Sequence, residues 1–368
     1  MGLGPTTSTS LTANGLQIVL FLLIATGCTG QTKPNEPVEL PHGAFINRVF
    51  TVDGKVYAIR NAEGNAYITT EFSEGPLCYP LSKLNGGYGD ALWHAPSGRI
   101  YYSEGCAVYS CDVTGNDKKL VWRLPEGKKR KDRVQLLTVS DDRLLVSGAY
   151  AERKPAEYYA KSDTYSYDTR AYFSLDITTG KGLSILRGNK RLVPICVQKN
   201  TLWAVEQSVG SWDSILLEDM TRCEKTGQIL RVDLLTGERK ELHTFENLGT
   251  ASKACGVVTN DSLYCSINGM FCAIPLVGGA PDFKWPDEFR AAGMDQVRSI
   301  AEYDGAIYVL MEDDTADLTL ALCQWKLKSE ELLPIFASED AFYPGGFHID
   351  GERYFLFMGD EMIWGKLP

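Results

Sequence analysis

What the chain has little of narrows its function first. It holds only 4 histidines in 368 residues, so a histidine-rich metal centre is out of reach. Positive charge is in deficit: 37 Lys and Arg stand against 47 Asp and Glu, a formal net charge of −10. That balance argues against a nucleic-acid partner held by phosphate neutralisation. Long apolar runs are missing as well. The run near the N-terminus, Leu16–Ile24 (LQIVLFLLI), is interrupted by Gln17 and reaches about half the length a helix needs to cross a bilayer. Ser-His-Asp nucleophile spacing, a nucleophile elbow, a zinc motif and a phosphate loop are all absent, so no cofactor or metal is expected. Against these absences, 44% hydrophobic and 11% aromatic residues supply a sizeable core and exclude a disordered chain.

The apolar run is an address. It reads as the hydrophobic region of a secretion signal spanning residues 1–27. The small residues Ala25, Thr26 and Gly27 directly precede Cys28. This resembles a bacterial lipobox, in which cleavage exposes a cysteine that becomes lipidated; the alternative is a plain secretion signal with Cys28 incidental. Residues 28–37 read as a tether, because Gln31–Leu40 (QTKPNEPVEL) is polar and carries two prolines. Residues 38–368 then form the folded domain. The expected location is the cell envelope, outer membrane or periplasm, with the membrane touched only through the lipid. Export also places the nine remaining cysteines where disulfides persist. One pair has local support. In Tyr264-Cys265-Ser266-Ile267-Asn268-Gly269-Met270-Phe271-Cys272 the Asn-Gly dipeptide signals a two-residue hairpin. Counting outward, Cys265 faces Cys272, a candidate cross-strand bridge.

A short polar turn followed by a hydrophobic–aromatic strand recurs seven times. Taking Gly54, Gly98, Asp142, Asn200, Asp261, Gly305 and Gly351 as equivalent, the intervals are 44, 44, 58, 61, 44 and 46 residues. The second repeat reads as four short strands: Ala91–Ala95, Arg99–Ser103, Ala107–Val113 and Leu120–Leu124. Four strands per repeat of this length is the pattern of a β-propeller blade. Stacked around an axis, each sheet buries its faces against its neighbours. The expected fold is therefore all-β, a monomeric seven-bladed β-propeller of four-stranded antiparallel blades. The last repeat ends after its third strand. Residues 38–45 are long enough to supply the fourth, so ring closure by the N-terminal segment is expected.

The residues of the second repeat, Ile100-Tyr101-Tyr102-Ser103 through Val108-Tyr109 to Asp112-Val113-Thr114-Gly115, are similar to YWTD-type propeller repeats of the lipoprotein-receptor kind. The stretch Phe271–Pro281 (FCAIPLVGGAP) resembles repeats of bacterial secreted propellers, including TolB-like ones. The resemblance implies the propeller fold. Its motifs are structural, and families with this architecture range from enzymes to scaffolds.

A four-strand meander puts the connections between strands two and three, and those between blades, on one face of the disc. Both large insertions fall there, Ala149–Arg170 and Gln207–Gly227, with a smaller one at Glu312–Asp317. Long loops on a rigid scaffold commonly carry function. The first holds Tyr158, Tyr159, Tyr165 and Tyr167; the second holds Trp212 beside Ile215, Leu216 and Leu217. Tyr and Trp are residues that interfaces favour, although the two insertions could equally pack on each other as a cap. Lys128, Lys129, Arg130 and Lys131 lie in the connection from the second to the third blade, either an anion-attracting patch or a solvated turn.

The expected activity is ligand or protein binding and scaffolding through this face, with an envelope protein or extracellular ligand as partner. The alternative is a secreted propeller enzyme, a hydrolase or lyase with a polar central-channel site. For that alternative the candidate bases are His94 and His348, which have opposite strand parity in the repeat alignment. A calcium site from Glu312, Asp313, Asp314 and Asp317 lacks the Asp-x-Asp-x-Asp-Gly order.

Overall fold

The computed structural model describes residues 36–62, 65–72, 77–83, 91–125, 132–152, 166–188, 190–208, 226–246, 248, 251, 253–282, 296–312, 320–326, 331–338 and 344–368. They form seven antiparallel sheets, each a meander of strands consecutive in the chain. The first blade is β1 (Phe45–Val52), β2 (Lys55–Ala62), β3 (Asn65–Glu71) and β4 (Cys78–Lys83). The second is β5 (Ala91–His94), β6 (Arg99–Glu104), β7 (Ala107–Cys111) and β8 (Lys119–Arg123). The third is β9 (Arg133–Val139), β10 (Arg143–Glu152), β11 (Ser166–Asp176) and β12 (Gly182–Gly188). The fourth is β13 (Lys190–Gln198), β14 (Thr201–Ser208), β15 (Gly227–Asp233) and β16 (Arg239–Phe245). The fifth is β17 (Ala254–Val258), β18 (Ser262–Ile267) and β19 (Met270–Pro275), extended by one bridge between Ala273 and Asp282. The sixth is β20 (Gln296–Tyr303), β21 (Ala306–Glu312), β22 (Leu320–Lys326) and β23 (Glu331–Ser338). The seventh is β24 (Pro344–Asp350), β25 (Arg353–Met358) and β26 (Glu361–Lys366). Among the described residues no helix is long and apolar enough to cross a membrane.

The second strand of each blade explains the ring. Its side chains alternate between the two faces of the sheet, and both faces are buried, so the strand is apolar almost throughout. In β2, Val56 and Ala58 turn one way while Tyr57 and Ile59 turn the other. In β14, Leu202 and Ala204 pack towards the third blade, and Trp203 and Val205 towards the fifth. Seven apolar clusters result, one between each pair of successive blades. The seventh joins Phe355 and Phe357 of β25 to Ile46, Val49, Val56 and Ala58 of the first blade, which closes the ring. This is the seven-bladed propeller expected from the repeat.

The closure differs in detail from the expected strand addition. Residues 36–44 form no strand, and the sheet β24–β26 keeps three strands. Val38 instead donates its N–H to Cys78 O, 2.8 Å away, and Leu40 and Ala44 pack with Ala62, Tyr67 and Cys78 on the first blade. The physical reason is a buried arginine at the seam. Arg60 is ion-paired with Glu71 at 2.9 Å and donates to Ala44 O and to Asp360 O (3.3 and 2.9 Å). Ile46 N–H also donates to Gly359 O at 2.8 Å. These bonds turn the segment before β1 over the first blade rather than along the edge of β26.

Candidate functional site

Strand order gives the propeller two faces. The lower face carries the turns between strands one and two and between strands three and four. The upper face carries the connections from strand two to three and from blade to blade. On the upper face the segments 153–165 and 209–225 leave from adjacent blades, as the insertions were expected to do. The strands that flank the first are the longest among the described residues, β10 with 10 residues and β11 with 11. Pairing with β9 ends at Ala149 and pairing with β12 ends at Arg170. Beyond them β10 and β11 continue as a two-stranded ribbon, Tyr150 opposite Thr169 and Glu152 opposite Ser166. Tyr167 lies on this ribbon. Cys28, Lys128, Lys129, Arg130, Tyr158, Tyr159, Tyr165 and Trp212 lie outside the described residues.

Charged side chains gather at the upper ends of the blades. Glu206, 4% exposed, is paired through one oxygen with Lys190 and through the other with Arg239 at 2.8 Å. Glu312, 1% exposed, holds Arg298 by a two-point contact: Nε donates to Oε2 at 2.5 Å and Nη2 to Oε1 at 2.6 Å. A carboxylate this deep needs such a partner, so Glu312 is committed to Arg298 and not to calcium. Among the described residues no three His, Cys, Asp or Glu side chains are grouped to hold a metal ion. The sequence reading missed the pair because charges at strand ends look solvated. Its signal was there: Glu312 closes the apolar run Ala306–Met311 two pairings from Arg298.

Beside that pair lies a cavity of about 210 Å3 between the fifth and sixth blades, lined among others by Lys253, Cys255, Ser266, Asn268, Gly269 and Arg298. The Asn268-Gly269 turn forms its rim, with φ of 52° and 88°, values that suit this dipeptide in a two-residue hairpin. Asn268 N–H donates to Lys253 O at 3.0 Å, and Val297 N–H to Gly269 O at 3.1 Å. Ser266 Oγ donates across the seam to Val297 O at 2.7 Å. The cavity floor is thus fixed by bonds from both blades. Burial pushes the Cys255 thiol up to about 12, so it stays uncharged.

The hairpin register is the expected one: Cys265 faces Cys272. The two remain thiols, with Sγ atoms 3.5 Å apart, and the bridge is not formed. Both are buried, at 0% and 1% exposure, in the cluster between the fourth and fifth blades, where a pair of small apolar side chains packs without a covalent link.

The two candidate bases separate. His94 is buried and its ring is fully engaged: Nε2 donates to Asp141 O at 2.9 Å and Nδ1 lies 2.8 Å from Ser97 Oγ. It ties the second blade to the third. His348 stacks on Phe355 at 6.3 Å, and burial holds its pKa below the ordinary value.

The chain is similar to several solved propellers. One is the β-propeller domain of the Trilobed protease from Pyrococcus furiosus, with TM-score 0.52 and 11% identity over 90% of this chain and 97% of that one. Another is a chain of the mitotic checkpoint complex, with TM-score 0.50 and 12% identity over 90% and 97%. BamB from Moraxella catarrhalis aligns at TM-score 0.44 and 13% identity over 87% and 82%. The first two establish the β-propeller fold. No family model matches the chain, and no curated protein matches it in sequence.

Proposed function

We propose that this protein is a binding and scaffold propeller, exported through residues 1–27, anchored by lipid at Cys28 and held off the membrane by residues 28–37. Its partner is an envelope protein or extracellular ligand met by the upper face. The observation that carries the reading is the ribbon of β10 and β11, which runs past the rest of its blade on the face that also bears the 209–225 connection. Ordered extensions of this kind on a rigid scaffold commonly carry recognition. The propeller in the mitotic checkpoint complex comes from a solved assembly, which agrees with a protein partner. The YWTD and TolB-like repeat resemblance and the lipobox support an exported protein. Export would also place Cys265 and Cys272 where their facing thiols can be oxidised to a bridge.

The test is crosslinking in cells followed by mass spectrometry. Native protein is compared with a variant whose 153–165 and 209–225 segments are shortened to tight turns and whose melting is shown to be cooperative. Partners captured by the native protein and lost by the variant support the reading. Identical partner lists overturn it.

A further inference from the structure

The seventh blade is one strand short, and its outer strand keeps a free edge. β26 closes on β25 through the two-residue turn Gly359-Asp360, with Met358 opposite Glu361. The pair that closes such a turn is hydrogen-bonded, and pair types then alternate along the strands. Leu367 N–H donates to Glu352 O at 2.7 Å, which fixes the same alternation from the other end. Met362, Trp364 and Lys366 therefore turn their N–H and C=O groups away from β25. None of these groups has a main-chain partner among the described residues. In the fifth blade, by contrast, the edge of β19 is already engaged by Asp282, which exchanges two hydrogen bonds with Ala273.

Side chains mark the same edge. Trp364 lies opposite Phe355, on the side of the sheet that faces the first blade, and Met362 shares that side. Trp364 is 52% exposed, and Phe72, 56% exposed, stands beside it with ring centroids 6.4 Å apart at 63°. Phe72 holds a φ of 56°, a left-handed conformation that bulky residues rarely adopt and that persists where function uses it. Two large aromatic side chains are thus held in water beside an unpaired strand edge. Strand addition uses this arrangement: main-chain bonds give affinity, and alternate side chains give selectivity. Charge sets the direction. Lys366 lies directly opposite Arg353, and like charges so placed repel. Arg353 has Asp350 at 3.0 Å; Lys366 is exposed and has no ion-pair partner among the described residues. An acidic residue in an added strand would lie on the other side of Lys366 and supply that partner.

We propose that the edge of β26 binds an extended segment of another protein as the fourth strand of the seventh blade. The segment runs antiparallel to β26, as the fourth strands of the complete blades run to their third. It places an acidic residue opposite Lys366 and apolar residues opposite Trp364 and Met362, so its pattern is acid-x-apolar-x-apolar. The residue opposite Trp364 lies beside Phe72 as well. The site is on the rim of the disc and uses no part of the upper face, so it holds or fails independently of recruitment there.

Calorimetric titration of the full chain tests it with acetyl-Glu-Thr-Val-Thr-Val-Thr-amide, a twin methylated on both valine nitrogens, and a second twin with Lys in place of Glu. Methylation removes the donors that would face Trp364 and Met362 and leaves the side chains unchanged. Saturable binding of the first peptide, binding weaker by about tenfold or more for the methylated twin, and a similar loss in Trp364→Ala support the site. Lys366→Glu reverses the preference between the Glu and Lys peptides. Both substituted side chains are exposed, and unchanged melting temperatures verify that the variants fold. Sedimentation of the unliganded chain tests the other occupant, a second copy: a dimer that Trp364→Ala dissolves overturns the proposal. So does absence of saturable binding, equal affinity for the methylated twin, native affinity in Trp364→Ala, or an unchanged preference in Lys366→Glu.

Discussion

The two faces of the disc are built from the same strands yet end in opposite chemistry. On the lower face the turns satisfy themselves. Asp112 Oδ1 accepts from the N–H groups of Thr114 and Asn116 at 2.8 and 2.9 Å. Asp176 Oδ1 accepts from Thr178 and Thr179 (3.0 and 2.7 Å), and Asp233 Oδ1 from Leu235 and Thr236 (2.7 and 3.0 Å). Each carboxylate imitates a backbone turn and is used up by it. On the upper face the strand ends bury paired charges, leave a cavity over one pair, and support the projecting ribbon. A turn that consumes its own polar groups has none left for a partner; an end that is held by deep ion pairs can present others.

The contrast can be broken most forcefully at Arg298. Arg298→Ala strips Glu312 of its counter-charge in a buried site and is expected to cost about 3–5 kcal/mol in urea unfolding. The double variant Arg298→Met, Glu312→Leu should recover most of that loss. A single variant with native stability would mean the pair does not hold the upper face.

On the lower face the effects are smaller. Asp233→Ala removes two hydrogen bonds at an exposed turn, and a loss of about 1 kcal/mol is expected in the same assay. Acid sharpens the difference. Backbone N–H donors, from Thr179 for Asp176 and from Thr236 for Asp233, hold both carboxyls below the usual range. A carboxyl lowered in the folded state stabilises fully above its unfolded pKa of about 3.9 and loses that contribution as pH falls through the folded value. A variant carrying Asp176→Asn and Asp233→Asn should therefore lose less stability than native protein between about pH 4 and pH 2. Parallel acid melts would refute this.

A change no larger than that of the lower-face turn is expected on neither face. Deleting residues 36–43 removes the packing of Leu40 and the Val38–Cys78 hydrogen bond, which should cost about 1 kcal/mol. A collapse of the melting temperature would show that this segment closes the ring by pairing after all.

The fold was legible because its signal is local and repeated. Each second strand is apolar on both faces, each turn announces itself with Gly, Asp or Asn, and Asn268-Gly269 even set the register that puts Cys265 opposite Cys272. The face that carries the insertions followed from counting strands. Closure was not legible, because strand addition at an edge is a backbone event, and the buried Arg60 that diverts the chain is bonded to a carbonyl 300 residues away. The cavity was hidden for a related reason. Lys253 and Arg298 belong to different repeats, and only the seam between blades brings them to one space.

The most direct measurement is photo-crosslinking in cells with p-benzoylphenylalanine placed on each face in turn. Tyr167 and Arg133 report on the upper face; Lys199 and Leu235, the latter 47% exposed, report on the lower. Adducts with a specific partner from Tyr167 or Arg133, and none from Lys199 or Leu235, are the predicted result. Adducts from the lower positions alone would contradict the account.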